Sequence, residues 1–550
     1  MLVRVAAVAV VTIGLALRLY GIDWSLPNPT HLFSYHPDEI LVVGAARNVD
    51  IPHGRLNPHF FNYGSLYIYL ISLLLPPARA AFANSLFTDY LVARLLAAVL
   101  GAATIYVTYL IGKRLGGAKV GFAAAAVMAI IPLHTVHSHY AAVDVPATFW
   151  VSLSLLGAVA AADSRKARWY VLSGAAAGFA AATKYNCGLV VLSILTAHTL
   201  SCIRERASQN LRARHYLGLP ALALACTVAA FLLGTPGVLI ATNEFWRDFS
   251  YEMRHTSTGH GLVFVGTGSG WWYHLSYNLR YGLTLPLLVL SVCGVGYLAW
   301  RRRPAEIALL AFAVVYYGLI GAFEVRFMRY LIPILPVLAV AAGTLLSALA
   351  SPPAEEPAKR RWPRITALVA GVLACVWSLV YTCAHLTLFV GPDPRDKALA
   401  WLVSNAKGES VGLTTVPWFY SPPVSIYNGG PQSEKAFRLY AGQSQFRLTV
   451  LGTDAAQLRA SQELPKYFVI SDFEYGDALR LLSSGSVPPS AVEQVEAFAD
   501  FWRALHAKYK LVAVFSKNPS LGPLVLPKRA LPPHDWMYPY PTIRIYQRRA

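Results

Sequence analysis

The 550-residue sequence predicts a polytopic α-helical membrane protein with about eleven transmembrane helices and a C-terminal extracytoplasmic α/β domain. Hydrophobic residues make up 55% of the chain and charged residues only 14%, whereas soluble domains carry roughly 25% charged residues. The long apolar runs end near residue 390. We therefore expect a membrane domain over residues 1–390, and a soluble domain over residues 391–550.

Each predicted transmembrane helix is a run of about 20 mostly apolar residues, the length needed to cross a bilayer. The runs cover residues 2–20, 88–112, 119–136, 139–162, 169–183, 185–203, 216–241, 274–299, 304–322, 327–350 and 363–390. No small-residue cleavage site follows the first run, so we expect it to be retained rather than removed as a signal peptide.

Basic side chains cluster in every second connection between these runs. The clusters are Lys113, Arg114 and Lys119; Arg165, Lys166 and Arg168; Arg204, Arg206, Arg212 and Arg214; Arg301, Arg302 and Arg303; and Lys359, Arg360, Arg361 and Arg364. Because cytoplasmic loops are rich in Lys and Arg, this alternation predicts a cytoplasmic N-terminus and an extracytoplasmic C-terminal domain. The formal net charge of +19 follows this topology rather than the pattern of a nucleic-acid-binding surface.

One further apolar stretch, residues 63–82, would invert every later loop if it crossed the membrane. We expect it to be a juxtamembrane or re-entrant segment on the outer face. Residues 21–87 then form one long first outer loop. The alternative is a pair of closely packed spans that break the charge rule.

The C-terminal domain alternates strand-like runs with helical patterns, which is typical of a small α/β domain. The predicted strands are 411–415, 467–471, 511–515 and 542–546, and the predicted helices lie near 396–406, 476–483 and 491–508. Residues 418–420 form an aromatic cluster. It could stack on a sugar, but the favoured interpretation is that it lies at the end of a buried strand.

Ionisable side chains are costly at membrane depth and are usually kept there for function. In this chain they gather at the outer ends of the predicted helices. The first outer loop contains His36, Pro37, Asp38 and Glu39. Pro37 favours a turn, and the two carboxylates would begin a helix. An ordinary helix start explains this motif equally well. Arg94 lies about two turns into the second span.

Three histidines, His134, His137 and His139, precede Asp144 in one connection. Closely spaced histidines suggest a metal site, but no regular helical spacing of ligands is present, and a hydrated rim of polar side chains is the favoured interpretation. Acidic DxD-type ligands are also absent. We therefore expect no required cofactor, and a divalent cation such as Mg²⁺ or Mn²⁺ is not indicated.

Three further cations lie at outer helix ends. Lys184 ends a small-residue helix, and Arg326 and Arg329 stand one turn apart in a later connection. Such residues often anchor a helix at the membrane interface. The charge rule disfavours basic residues outside, however, so a bound anion explains them better. With Asp38 they suit a reaction in which cations hold a phosphate-bearing lipid while a carboxylate acts on a second substrate.

These motifs resemble bacterial glycosyltransferases of the GT-C superfamily, in the protein-mannosyltransferase-like branch (family 39 type). The resemblance covers residues 1 to about 350 and, weakly, the remainder of the chain. It rests on the order of six pieces, which are His36–Glu39, Asn57–Tyr63, Arg94 with the helix to Gly116, His137–Pro146, Ala182–Tyr185 and Arg329–Pro336.

The resemblance implies an inverting glycosyltransferase that moves a hexose or pentose from a polyprenyl-phosphate donor to an acceptor. The reaction would take place on the outer face of the bacterial cytoplasmic membrane, and the acceptor would be a lipid, a glycan or a protein. The catalytic acidic pair of the family maps onto Asp38 and Glu39, with Asp38 as the general base. The implied substrate-binding residues are His36, Tyr63, Arg94, His137, His139, Asp144, Lys184, Arg326 and Arg329.

Related oligosaccharyltransferases carry a Trp-Trp-Asp-Tyr-Gly signature, and the nearest string here is Trp271-Trp-Tyr-His274. Transfer of an oligosaccharide to asparagine is therefore disfavoured. A polytopic transporter or flippase of lipid-linked sugars is the alternative function, but transporters place charges near the midplane in repeated halves, and no internal repeat is found. A scaffold without enzymatic activity would leave Asp38 and the outer arginines unexplained.

Overall fold

The computed structural model describes residues 2–206, 213–351, 358–426, 441–460, 464–528 and 531–549. Arg212, from the third predicted basic cluster, lies outside the described residues. Up to about residue 390 the described chain is helical, as its apolar composition predicts.

The helices of this part begin and end as follows: α1 Leu2–Leu19, α2 Glu39–Asn48, α3 Leu66–Ala81, α4 Leu86–Gly116, α5 Ala118–Ile130, α6 Pro132–His137, α7 Asp144–Asp163, α8 Ala167–Thr183, α9 Val191–Arg206, α10 Ala213–Gly234, α11 Gly237–Ile240, α12 Thr242–Thr258, α13 Gly270–Tyr273, α14 Leu279–Leu283, α15 Leu285–Arg301, α16 Pro304–Gly321, α17 Leu335–Ala350 and α18 Ala358–Leu386. Three 3₁₀ turns in this part are Ile51–His53, Tyr185–Val190 and Met328–Ile334.

Helices occupy every run predicted to cross the membrane, and the protein is a multi-pass membrane protein. Among the described residues, seven helices are long and apolar enough to span a bilayer, or eight if one bent pair forms a single span. The predicted count of eleven is therefore not confirmed. Helix α3, within the predicted juxtamembrane stretch, is one of three shorter apolar helices, and its position relative to the membrane stays a prediction.

The run 274–299, predicted as one span, is a bent pair of helices in the structure. The chain bends by 116° between Gly270–Leu283 and Leu285–Arg301. Thr284 at the break has a φ of 72°, and Pro286 lies in the first turn of the next helix. Proline has no backbone N–H to donate to a preceding turn. The first helix therefore ends ahead of Pro286, and a new helix starts in another direction.

The C-terminal part is the predicted α/β arrangement. Its helices are α19 Pro394–Asn405, α20 Ala455–Ala460, α21 Asp472–Ser483 and α22 Val492–Lys508. Its strands are β1 Ser410–Leu413, β2 Arg447–Val450, β3 Tyr467–Ser471, β4 Tyr509–Phe515, β5 Ser520–Leu521, β6 Leu524–Val525 and β7 Ile543–Arg548. All four predicted strands and all three predicted helices are confirmed in type and place.

Five of these strands form one mixed sheet in the order β2-β1-β3-β7-β4. Strand β1 runs parallel to β2 and β3, and β7 runs antiparallel to β3 and β4. Strand β2 was not predicted. It forms one edge of the sheet and its side chains are mostly exposed, so it lacks the apolar character by which a central strand is recognised.

The C-terminal part is joined to the first loop through buried polar contacts. Arg395 is fully buried and its guanidinium donates two hydrogen bonds to Asp393, at 2.7 and 2.8 Å. The Trp24 indole donates to the same carboxylate at 3.1 Å, and the Tyr35 hydroxyl hydrogen-bonds to Asp396. Because these groups are shielded from water, the contacts hold the α/β part against the loop that contains Asp38. The domain boundary at residue 390 stays a prediction.

Candidate active site

A cavity of about 810 Å³ lies between the first loop, helix α12 and the α/β part. A second pocket, of about 50 Å³, adjoins it beside the ends of α7 and α8. The larger cavity contains Asp38 and the smaller contains Lys184 and Asp144. Five residues line both: Asn62, Tyr63, Glu252, Arg329 and Tyr330.

Asp38 stands immediately before helix α2, at the position the sequence predicts. Its side chain is 15% exposed, and its Oδ2 lies 3.4 Å from the Arg329 guanidinium. Arg329 belongs to the 3₁₀ turn Met328–Ile334 and is buried. Two segments that are almost 300 residues apart in sequence thus place a carboxylate and an arginine side by side. The two side chains carry opposite charges and attract each other across this short distance.

The segment around Asp535 supports this arginine from the C-terminal part. Asp535 accepts the backbone N–H groups of Met328 at 3.1 Å and of Arg329 at 2.9 Å. The Arg329 side chain donates to the Tyr538 hydroxyl at 3.2 Å, and its Nη1 lies 3.7 Å from Asp535. Burial raises the pKa of Asp535, and the adjacent arginine and backbone donors oppose that rise. The C-terminal part therefore helps to fix Arg329.

Lys184 follows the last residue of α8, and Asp144 is the first residue of α7. The ammonium and the carboxylate are 2.5 Å apart and both are largely buried. The Lys184 Nζ also lies 4.5 Å from the centre of the Tyr330 ring, and the Arg329 guanidinium lies 5.9 Å from that centre. The two cations thus flank one aromatic ring.

A glycine brings the first loop close to Lys184. A Cβ at Gly64 would collide with the backbone carbonyl of Ala182, near the end of α8. Only glycine allows this approach. Tyr63, the residue before Gly64, lies on the wall that both pockets share. Its backbone carbonyl accepts a hydrogen bond from the Tyr185 hydroxyl at 2.9 Å.

Glu39 and Arg94 line neither pocket, although the sequence predicts both at the substrate. Arg94 donates two hydrogen bonds to Glu39, both of 2.7 Å, and both side chains are fully buried. The backbone N–H of Ala141 also donates to Glu39, at 2.7 Å. Burial acts to raise the pKa of Glu39, but Arg94 outweighs it and the pKa lies below the usual value. The pair therefore holds α2 against α4, and Arg94 is not available to a donor phosphate.

Arg326 is also committed elsewhere. Its guanidinium donates to the Thr267 hydroxyl at 2.6 Å and to the Gly268 carbonyl at 2.7 Å, and it pairs with Glu324 at 3.2 Å. It lines neither pocket. The prediction that Arg326 contacts a substrate is therefore not supported by the geometry, because its neighbour Arg329 faces the cavity instead.

The predicted histidines have different surroundings. Burial lowers the pKa of His36 to about 4, and its ring packs between Tyr140 and Tyr538. His139 hydrogen-bonds to the backbone carbonyls of Tyr20 and Thr135, each at 3.0 Å, so both of its ring nitrogens already have partners within the protein. Neither His36 nor His139 lines either pocket.

His137 is buried, and both of its ring nitrogens lack a hydrogen-bond partner within the described chain. It does not line either pocket. Among the described residues, no group of three or more His, Cys, Asp or Glu side chains is arranged to hold a metal ion. The cluster of predicted histidines thus separates into individual packing positions.

Sequence reasoning missed three residues of the site. Glu252 lies on α12 and lines both pockets, whereas Asp535 and Tyr538 contact Arg329. Asp535 and Tyr538 could have been found from residues 531–540, where prolines and aromatic residues surround a His-Asp pair. Glu252 had no comparable signal, because its helix is amphipathic in the manner of any surface helix.

The aromatic cluster lies in a loop after β1, and not at the end of a buried strand. Trp418, Phe419 and Tyr420 all line the larger cavity. Tyr420 stacks on Phe473 and Phe473 on Tyr538, with ring centres 5.8 and 6.1 Å apart. The favoured interpretation of this cluster is therefore wrong, and the C-terminal wall of the cavity is aromatic.

The comparisons with known sequences agree with this architecture. Residues 74–231 match the model of the dolichyl-phosphate-mannose-protein mannosyltransferase family. An undecaprenyl phosphate-α-4-amino-4-deoxy-L-arabinose arabinosyl transferase from Pseudomonas fluorescens is 25% identical over 416 residues, which cover 71% of this chain and 70% of the relative. A transferase of the same description from Pseudomonas aeruginosa is 26% identical over 61% of this chain and 59% of its own.

Two solved structures share the fold. ArnT from Cupriavidus metallidurans, bound to undecaprenyl phosphate, has a TM-score of 0.51 at 15% identity, with 98% of this chain and 97% of that chain covered. The oligosaccharyltransferase AglB from Archaeoglobus fulgidus has a TM-score of 0.51 at 14% identity, over 87% and 71% of the two chains. The chain therefore has the architecture of these two membrane glycosyltransferases.

Proposed function

We propose that this protein is an inverting glycosyltransferase that moves a sugar from a polyprenyl-phosphate donor to an acceptor hydroxyl. One observation carries the proposal: a carboxylate and two cations, Asp38, Lys184 and Arg329, come from distant segments to one connected pair of pockets. A phosphate leaving group needs cations, and a hydroxyl nucleophile needs a base. The sequence relatives are transferases that use undecaprenyl-phosphate sugars, and they give the transporter alternative no support.

The two pockets suggest how the reactants are arranged. The donor phosphate would occupy the smaller pocket, where Lys184 lies, with Arg329 at the boundary. The acceptor would occupy the larger cavity, where Asp38 lies. In this arrangement the base and the leaving group would stand on opposite sides of the anomeric carbon, as an inverting displacement requires.

Asp38 would accept the proton of the acceptor hydroxyl while the acceptor oxygen forms a bond to the anomeric carbon. The bond from that carbon to the phosphate oxygen breaks, and its electron pair leaves with the polyprenyl phosphate. Charge-assisted hydrogen bonds from Lys184 and Arg329 stabilise the departing phosphate. In this step the proton of the acceptor moves to Asp38, and the negative charge moves from Asp38 to the phosphate.

Arg329 links the two halves of this step. In the structure its guanidinium lies 3.4 Å from Asp38. A bound phosphate would compete with Asp38 for that guanidinium, since both are anions. Donor binding would therefore draw Arg329 away from the carboxylate and leave Asp38 free to accept a hydrogen bond from the acceptor.

The test of the function is consumption of a lipid-linked sugar by the purified protein. Undecaprenyl phosphate that carries a radiolabelled sugar is incubated with the protein in detergent and a membrane lipid extract, and products are separated by thin-layer chromatography. We expect the donor to be consumed and the label to move to an acceptor. An intact donor across a panel of sugars and acceptors would contradict the proposal.

We further propose that the protein lies in the bacterial cytoplasmic membrane with its N-terminus in the cytoplasm and the α/β part outside. The five basic clusters support this orientation. The acceptor would be a lipid, a glycan or a protein that is reached from the outer face. The larger cavity is near the upper end of the usual range for ligand sites, roughly 300–1,000 Å³, so it has room for an acceptor group next to the donor sugar.

A further inference from the structure

The wall shared by the two pockets contains more than the residues that act on phosphate and proton. It consists of Asn62, Tyr63, Glu252, Arg329 and Tyr330. Arg329 belongs to the charged machinery described above. The remaining four are two aromatic rings and two polar side chains, a combination that proteins use at sites for small polar molecules.

The reaction fixes what must lie at this wall. The anomeric carbon is bonded to the leaving phosphate and is attacked from the acceptor side, so the sugar ring lies between the two reactants. The cations mark the phosphate side in the smaller pocket and Asp38 marks the acceptor side in the larger. The boundary between the pockets is accordingly the place of the sugar ring.

Helix α12 holds Glu252 at this boundary. Phe245 is buried and packs against Phe61, with ring centres 5.9 Å apart, and Phe249 packs against Tyr185 at 5.1 Å. Glu252 stands seven residues after Phe245 and three after Phe249, so it lies on the same face of the helix. This face is turned towards the first loop and the site.

Glu252 also has the surroundings of a ligand-binding carboxyl group. It is partly buried and lies beside the Asn62 side chain. Burial raises its pKa, while Lys184, Asn62 and Arg329 act against that rise. A carboxylate accepts hydrogen bonds through both oxygens, and an amide both donates and accepts. Together they can bind adjacent polar substituents on a sugar ring.

We propose that Glu252, with Asn62, forms the binding site for the sugar ring of the donor and selects which sugar is accepted. The ring substituents that it recognises are hydrogen-bond donors, either hydroxyl groups or a protonated amine. Tyr63 and Tyr330 supply flat walls on which the carbon face of a sugar packs. This inference rests on the proposed function and assigns one part of its substrate.

The test compares undecaprenyl phosphate with the same lipid bearing either of two sugars. Affinity is measured for undecaprenyl phosphate alone and for the same lipid bearing mannose or 4-amino-4-deoxy-L-arabinose, with wild-type protein in detergent. Glu252→Gln keeps the size of the side chain and removes its charge. We expect it to weaken binding of the glycosylated lipid by about 10-fold, since hydrogen bonds to charged groups are about twice as strong as neutral ones. Binding of undecaprenyl phosphate should not weaken, because the lost charge is negative and lies beside the cations Lys184 and Arg329.

The two sugars distinguish the two kinds of ring substituent. If the recognised group is an amine, Glu252→Gln should weaken the aminoarabinose lipid much more than the mannose lipid. If it is a hydroxyl, both should weaken alike. Asn62→Ala provides a second variant in case Glu252→Gln fails to fold. It should likewise weaken binding of the glycosylated lipids and not of the bare lipid.

Glu244→Gln is the matched control, since Glu244 lies on the same helix and pairs with His59 at 2.9 Å without lining either pocket. It should change neither affinity. Equal losses for bare and glycosylated lipid in Glu252→Gln and Asn62→Ala, or no loss in either, would overturn the inference. Wild-type protein that binds none of the lipids would instead contradict the proposed function itself.

Discussion

The charges of the site are held in pairs. Arg329 contacts Asp38 and Asp535, and Lys184 contacts Asp144, so three carboxylates surround two cations. Such a site does not present free positive charge to a passing anion. In the proposed mechanism a phosphate competes with these carboxylates for the cations, and Asp38 is the most exposed of the three. Binding of the donor would then also release the proposed base from Arg329.

Loss of either cation should weaken binding of the donor. Lys184→Gln and Arg329→Gln each remove a charge-assisted hydrogen bond, worth roughly 1.5–3 kcal/mol. We expect affinity for the undecaprenyl-phosphate donor to fall by about 10- to 100-fold in each variant. The measurement is donor affinity on purified variants whose melting temperature has been checked.

Arg326→Gln is the matched control for this experiment. It removes the same charge one turn away, from a side chain that faces Thr267 and Glu324 rather than the cavity. Its donor affinity should stay at the wild-type level. If all three variants bind donor equally well, Lys184 and Arg329 are interfacial anchors and not phosphate ligands.

At the residue scale, the sequence predicts the groups that the structure brings together but not their partners. The cost of burying charge singled out Asp38, Asp144, Lys184 and Arg329. The same argument could not distinguish Arg329 from Arg326. Their side chains point in different directions because of how the turn between them folds. Nor could the cost of burying charge reveal the pair of Glu39 and Arg94, which lie 55 residues apart in sequence.

At the scale of elements, short segments between helices build the site. The 3₁₀ turn Met328–Ile334 is capped by Asp535, whose carboxylate accepts two of its first backbone N–H groups. These partners are more than 200 residues apart, so local patterns could not predict the contact. Helix patterns predicted the long elements well, because apolar runs and capping residues act locally.

Helix α21 contains a carboxyl group that should make stability depend on pH. Glu474 accepts a hydrogen bond from the Ser471 backbone N–H at 2.7 Å and hydrogen-bonds to the Thr414 hydroxyl. Burial raises its pKa from 4.5 to about 7. The folded state thus binds this proton more tightly than the unfolded state, so stability from this group falls as the pH rises from about 4.5 to about 7.

Glu474→Gln removes the titration and keeps an acceptor for the Ser471 N–H. We expect its melting temperature to vary less than that of the wild type between pH 4.5 and 7. The comparison is a set of melting curves at fixed ionic strength. An identical pH profile in both proteins would show that Glu474 does not govern this dependence.

At the scale of the molecule, composition and charge alternation predict a helical membrane protein with an α/β part at the C-terminus. That much the structure confirms. The number of spans was beyond sequence reasoning, because prolines and a positive-φ residue break apolar runs such as 274–299 into separate helices. How the α/β part packs against the first loop depended on buried contacts between distant residues, such as Trp24 with Asp393.

The topology can be tested with reporter fusions. Reporters joined after Arg114, Arg206 or Arg303 should lie in the cytoplasm, and one joined at the C-terminus should lie outside, since the basic clusters mark the cytoplasmic side. Enzymatic reporters that are active on only one side of the membrane give the result directly. A cytoplasmic C-terminus would mean that residues 63–82 span the membrane.

The central claim is that Asp38 is the general base, and the measurement that tests it is turnover at saturating donor and acceptor for Asp38→Asn and Glu39→Gln. Asp38→Asn removes basicity from a partly exposed side chain, so folding and donor binding should survive while turnover falls by roughly 10²–10⁴-fold. Glu39→Gln leaves Arg94 buried without its charge partner. It should lower stability by roughly 3–5 kcal/mol, while the folded fraction keeps much more activity than Asp38→Asn. Near-normal turnover in Asp38→Asn would contradict the account.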